Sequence, residues 1–175
     1  EHCRASGVSG APGDLTVHTE KGDIRARNVI VATNGYTAKP TPWHQRRIIP
    51  IGSYIIATEP LEPELIKRLI PKQRVISDTR KLVVYYRTCP EGKRIVFGGR
   101  VSIAETDPTA AAPALHAEMA RRFPDLAETP ITHAWMGFVG YTFDEMPHLG
   151  EKDGVYYSMG YCGSGVGMAS YLGTR

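Results

Sequence analysis

Glycines at 160, 163, 165 and 167 follow the strand-like run Val155–Met159 and lead into a helix-like run over residues 166–172. A strand, a glycine turn and a helix start, in that order, make a cradle for an anion or a cofactor. Missing Cβ atoms let a ligand approach the backbone, and the first helical turn offers unpaired N–H groups with positive dipole character. The same spacing also serves a plain glycine-rich connection, and the local pattern leaves both readings open. A second candidate is Thr33-Asn34-Gly35, at the carboxyl end of the apolar run Val29-Ile30-Val31-Ala32. Open α/β sheets place their ligands at such strand ends. Asn and Gly also make an ordinary strand-to-loop turn.

The elements that must position these residues follow from period and punctuation. Residues 14–27 alternate as a β-hairpin around Lys21-Gly22. Residues 28–36 have a continuous apolar core, which suits a strand covered on both faces, as in a parallel sheet. Pro40 and Pro42 break the chain, and a domain boundary is placed there. Beyond it, residues 47–58 read as a long strand bending near Pro50, and residues 62–70 as a short helix opened by Pro63. Strands at 82–87 and 94–97 flank the turn Pro90-Glu91-Gly92, with Gly98-Gly99-Arg100 closing the hairpin. A helix opens at Asp107-Pro108, its regular part delayed by Pro113, with Leu115, Met119 and Phe123 as a core stripe. Residues 131–139 read as a strand through Trp135, and residues 141–150 as a loop.

The expected fold class is therefore α+β with an α/β part. A partial dinucleotide-binding, Rossmann-like layer (residues 1–38 and 135–175) holds an inserted, mostly antiparallel sheet domain with two helices (residues 39–134). The chain starts without methionine and stops inside a helix-like run, and is expected to be a piece of a longer protein.

Composition narrows the function. The net charge of +3 is spread in ones and twos (Arg46-Arg47, Arg80-Lys81, Arg121-Arg122), with no stripe for nucleic acid. No apolar run reaches the ~20 residues that cross a bilayer. Three scattered cysteines fit neither a zinc site nor a disulfide framework and favour a reducing, cytoplasmic setting. Cys162 reads either as a thiol activated at a helix start or, more simply, as a small residue in a tight turn. The six histidines show no metal spacing, so no metal is expected, and no acid–base triad is evident.

Four separated pieces carry a resemblance. They are residues 29–36, residues 95–100, Trp135-Met136-Gly137 with Thr142, Asp144, Pro147 and Gly150, and the cradle at 160–167. Their order resembles the C-terminal part of FAD-dependent oxidoreductases of the D-amino-acid oxidase superfamily, in the branch of γ-glutamylputrescine oxidase and the glycine and sarcosine oxidases. The resemblance implies FAD, contacted by Thr33, Asn34, Gly35, Trp135, Gly160, Tyr161, Cys162, Gly163, Ser164, Gly165 and Val166. It implies a substrate sheet roofing the flavin, with Tyr54, Tyr86 and Arg100 as substrate candidates, although each tyrosine is equally a half-buried strand aromatic and Arg100 equally a surface ion-pair partner. His148 is a proton-relay candidate by position.

The implied chemistry is oxidation of the C–N bond of an amine or amino acid. An imine forms and water hydrolyses it, with electrons passing to FAD and then to dioxygen or another acceptor. The family's G-x-G-x-x-G is absent, so the piece by itself is expected to hold FAD weakly or not at all and to be inactive. Family members commonly carry an arginine two residues after W-x-G, gripping the substrate carboxylate. Here Phe138, Val139 and Gly140 follow, which favours an amine or a carboxylate held elsewhere. A same-fold dehydrogenase using a quinone or protein acceptor stays open. So does, from another class, a non-catalytic α+β binding module.

Overall fold

The computed structural model describes residues 2–80, 82–100 and 105–175; Lys81 of the second basic pair lies outside them. The chain divides into two compact units, Glu1–Ile51 with Phe138–Arg175, and Gly52–Gly137. These boundaries fall later in the chain than Pro40 and Trp135. Ile48, beyond the proline break, is buried with Leu15, Val31, Val155 and Met159 in the core of the first unit.

In the first unit, β1 (Ala5–Ala11), β2 (Asp14–Thr19) and β3 (Ile24–Ala26) form one sheet in that order. The expected hairpin is present, with Leu15 opposite Ala26 and Val17 opposite Ile24. Strand β1 was not legible, because its run of Ala, Ser and Gly carries no apolar alternation. A second sheet has the order β10-β11-β4, from β4 (Val29–Val31), β10 (His148–Lys152) and β11 (Val155–Met159). Strands β4 and β11 are parallel, with Val29 opposite Val155 and Val31 opposite Tyr157.

Two expectations are corrected here. Strand β4 is not covered on both faces by this chain: successive side chains point to opposite sides, and Val31 is buried while Ile30 is 72% exposed. The supposed loop at 141–150 ends in a strand, β10, antiparallel to β11. Leu149 is its only large apolar residue, and the pairing comes from the two-residue turn Asp153-Gly154, with φ of 54° and 80°. Positive φ at both positions matches the right-handed twist of the strands it joins.

A third sheet has the order β6-β7-β8-β5-β9, from β5 (Ile49–Thr58), β6 (Ile76–Ser77), β7 (Val84–Thr88), β8 (Ile95–Gly99) and β9 (Ile131–Tyr141), and its residues between Gly52 and Gly137 belong to the second unit. The pairings β6–β7, β7–β8 and β5–β8 are antiparallel. Besides the four-residue α1 (Pro42–Gln45) of the first unit, the chain has α2 (Pro63–Leu69) and α3 (Pro108–Arg122) in the second. Helix α3 opens at Asp107-Pro108 as expected, and it is helical from Pro108 on, with no delay of its regular part by Pro113. Asp107 caps it, its carboxylate accepting from Thr109 and Ala110 N–H at 2.8 and 3.3 Å. The hydrogen bond Pro113 cannot donate is outweighed by burial of Ala111, Leu115 and Met119 against Tyr54, Ile56, Ile95 and Phe97. Gly98 and Gly99 lie inside β8 and do not close the hairpin; a Cβ at Gly98 would enter the Tyr85 ring. No helix of the described residues is long and apolar enough to cross a membrane.

Candidate functional site

The parallel pair β4–β11 brings the two candidate segments together at the carboxyl ends of neighbouring strands. Past Val31 the chain turns at Thr33 into a short 3-10 turn, Asn34–Tyr36, with Asn34 at φ 42°. Asparagine tolerates this left-handed backbone better than other residues with a side chain. The Thr33 and Thr37 hydroxyls lie 2.8 Å apart, and Thr37 N–H donates to the Asn34 carbonyl at 3.1 Å. Past Met159, the buried Gly160 takes φ 76° and donates its N–H to Asn34 Oδ1 at 2.9 Å, across 126 residues of sequence. That bond ties the two segments together.

Close packing around it explains the residue types. A Cβ at Gly160 would collide with Thr142 Cγ2, one at Gly140 would lie 2.5 Å from Asn34 Oδ1, and one at Gly35 would lie 2.6 Å from the Phe138 carbonyl oxygen. Cys162 N–H donates to the Gly140 carbonyl at 3.1 Å, and its thiol faces the Gly160 carbonyl at 3.2 Å. Cys162 thus fills a tight turn at φ 51°. Gly140 was missed from sequence; the signal was a glycine two residues before Thr142 in a strand.

Beyond the turn lies α4 (Gly165–Leu172), with Ser164 at its N-cap making no side-chain cap. The first amides of α4 have no intrahelical acceptor by construction, and a Cβ at Gly163 or Gly167 would meet nothing within 4 Å. Val166 is 94% exposed. Tyr161 braces the turn: Ser164 N–H donates to its carbonyl at 2.9 Å, and its hydroxyl donates to Ser158 Oγ at 2.8 Å. Bare backbone, open space and a positive helix end coincide here, which is what the phosphates or the electron-rich ring edge of a dinucleotide require. The residues fit such a group.

Beside Thr142 and Met159 the same unit has a pocket of about 340 Å³, also lined by Trp43, Arg47, Phe143, Asp144, His148 and Tyr157. The Arg47 guanidinium stacks 3.6 Å over the Trp43 ring and donates to the Trp43 carbonyl at 2.8 Å. The spacing of Trp43 and Arg47, four residues apart after a proline break, was the signal for this wall. His44, behind it, is buried against Trp43 and Tyr157, and its Nε2 has no partner. Burial first, then the charge of Arg47, lower its pKa.

His148 Nε2 lies 3.1 Å from Asp144 Oδ1. The Asp144 carboxyl is pulled down from 3.8 to about 2 by that histidine, then by the Met146 N–H and the Thr142 hydroxyl. A depressed carboxylate pKa stabilises the fold above the unfolded value, and the contribution is lost as the pH falls through the folded one. The difference in urea midpoint between the parent and Asp144→Asn is therefore expected to be full above about pH 4 and to vanish towards pH 2. A difference that stayed constant over that range would show that the Asp144 charge plays no part.

The remaining sequence candidates lie in the second unit. Trp135 is on β9 and 42% exposed. Tyr54 is 1% exposed, its hydroxyl accepting from Thr106 N–H at 2.8 Å. Tyr86 stacks on Phe97 and meets Phe123 edge-on, with centroids 5.7 and 5.1 Å apart. Arg100 follows β8 and is partly buried. Among the described residues no three histidine, cysteine or acidic side chains are grouped as metal ligands.

Comparison with known proteins bears on this geometry. The family model "DAO: FAD dependent oxidoreductase" matches residues 1–174. The chain is 34% identical over 176 aligned positions to a probable oxidoreductase OrdL of Rhizobium meliloti, covering 99% of this chain and 40% of that protein. It is 36% identical over 152 positions to gamma-glutamylputrescine oxidoreductase of Escherichia coli, covering 86% of this chain and 35% of that protein. The chain thus spans about two fifths of the length of these relatives. The fold matches glycine oxidase from Geobacillus kaustophilus with a TM-score of 0.78 at 16% identity, over 99% of this chain and 46% of that one. It matches L-proline dehydrogenase from P. horikoshii with a TM-score of 0.74 at 19% identity, over 99% and 48% of the two chains.

Proposed function

The chain belongs to the DAO family of FAD-dependent oxidoreductases, and from that premise we propose that it forms the C-terminal part of a flavin-dependent enzyme oxidising the C–N bond of an amine. The observation that carries this reading is the Gly160–Asn34 hydrogen bond, which joins two segments far apart in the sequence. FAD, when bound, supplies the two-electron acceptor for the carbon beside the nitrogen. The residues of the first unit that would hold it are Thr33, Asn34 and Gly35 and the backbone from Gly160 to Val166. The amino end of α4 favours negative charge beside that backbone. Electrons passing onward to dioxygen or to another acceptor are both compatible with these residues.

Tyr54, Tyr86 and Arg100 are the proposed substrate residues. Tyr54 accepts from Thr106 N–H and keeps its own O–H to donate, but at 1% exposure it meets a ligand only if its cover moves. An amine, rather than a free α-amino acid, is favoured by the segment after Gly137. It offers no guanidinium, and its backbone is already engaged: Phe138 N–H donates to the Tyr36 hydroxyl at 3.1 Å, and Gly140 packs on Asn34. The relative from Escherichia coli, named for gamma-glutamylputrescine, supports the same class.

The test is turnover by the flavin-loaded protein with an oxygen electrode and, in parallel, a redox dye. Polyamines and their acylated derivatives are expected to turn over at least about tenfold faster than glycine or D-alanine, the discrimination worth ~1.4 kcal/mol. Vigorous turnover of glycine or D-alanine with no amine activity would overturn the amine assignment. A folded full-length protein that binds no FAD would overturn the enzyme reading itself.

A further inference from the structure

The β1–β2–β3 sheet carries a constellation that shares no residue with the flavin-facing edge. Ser9 Oγ on β1 lies 2.7 Å from His18 Nε2 on β2, and His18 Nδ1 lies 3.0 Å from Asp23 Oδ1, in the turn before β3. The register puts His18 opposite Gly7, so Ser9, two residues along on the same face, reaches the ring diagonally. A carboxylate only accepts, so Asp23 fixes the proton of neutral His18 on Nδ1 and leaves Nε2 as the acceptor. The Ser9 hydroxyl then donates to Nε2. Nucleophile, base and orienting acid stand in the order that base-activated serines use, and that arrangement is recognised by geometry and not by sequence position.

We propose that Ser9 is a nucleophile activated by His18 and oriented by Asp23, and that it takes acyl groups from small activated esters. Ser9 Oγ bonds to the acyl carbon as its proton passes to His18 Nε2. The ester C–O bond then breaks, and the departing oxygen takes that proton. Water then bonds to the acyl carbon as its proton passes to His18 Nε2, the Ser9 Oγ–acyl bond breaks, Oγ takes that proton back, and the acyl group leaves as a carboxylic acid. Ser9 is exposed and β1 is the outer strand of its sheet, so the amides on its free side are open to a developing oxyanion. A site this open suits small acyl donors of low selectivity.

The experiment treats the purified flavoprotein with a fluorophosphonate probe and with p-nitrophenyl acetate, and locates the modified residue by peptide mass spectrometry. Ser6, exposed on the same strand with its hydroxyl on the His18 carbonyl at 3.3 Å, is the internal control. Modification is expected at Ser9 and not at Ser6. It should be lost in Ser9→Ala and slowed at least tenfold in His18→Gln and severalfold in Asp23→Asn, with flavin content unchanged. The rate should rise with pH through one ionisation that His18→Gln removes. Equal labelling of Ser6 and Ser9, or labelling of Ser9 insensitive to His18→Gln, overturns the proposal. Should a variant fail to fold, the parent's pH profile decides: a flat profile overturns it.

Discussion

Gly160→Val is expected to leave a folded protein that has lost its flavin. Gly160 sits at φ 76°, where a residue with a Cβ is strained by about 1–2 kcal/mol. The added Cβ would also be driven into Thr142 Cγ2, and such overpacking typically costs a further ~1–3 kcal/mol. Thr142 has little freedom to yield, because its hydroxyl donates to the Met146 carbonyl at 2.9 Å. The turn leaves the geometry that presents the α4 amides, and apparent affinity falls with the fraction still competent. Flavin retention should weaken on the order of a hundredfold or more. Absorbance of the purified variant titrated with FAD measures it. Gly163→Ala offers a contrast within the same turn: the backbone is strained there too, at φ 96°, but the Cβ meets nothing within 4 Å. Its loss should be smaller, and a loss equal to that of Gly160→Val would refute the steric argument.

Asn34→Ala should give the second large effect. The mutation strips the Gly160 N–H of its acceptor inside a buried turn, and an unsatisfied buried donor costs about 1–3 kcal/mol. FAD affinity should fall about 5- to 150-fold. Two companions separate causes. Asn34→Asp keeps an acceptor oxygen and should retain most of the affinity. Asn34→Gly relieves the backbone at φ 42° but lacks the acceptor, and should resemble Asn34→Ala. If glycine restored binding and aspartate did not, the role of Asn34 would be conformational and the tie to Gly160 immaterial.

What the sequence made legible was short-range. The glycine spacing at 160–167, the apolar run before Thr33 and the hairpin around Gly22 each depend on a few neighbouring residues, and each stands where it was expected. The family resemblance, carried by four dispersed pieces, agrees with the family whose model matches. The misses are long-range. Strand β10 has no apolar period, and its place depends on the Asp153-Gly154 turn, a local signal passed over among polar residues. Helix α3 tolerates Pro113 because of burial on one face, which no local rule supplies. The chain Ser9–His18–Asp23 is invisible in one dimension, since strand register across a turn assembles it. The unit boundaries likewise follow packing: Ile48 completes the first core although a proline break precedes it.

Hydrogen–deuterium exchange of the whole protein with and without FAD tests the central claim most directly. The account predicts slowed exchange in two separate peptides, one over residues 33–36 and one over residues 160–168, with β1–β3 unchanged. Protection of only one of them, or of neither while FAD is bound, would mean that the Asn34 and Gly160 segments do not hold the cofactor together.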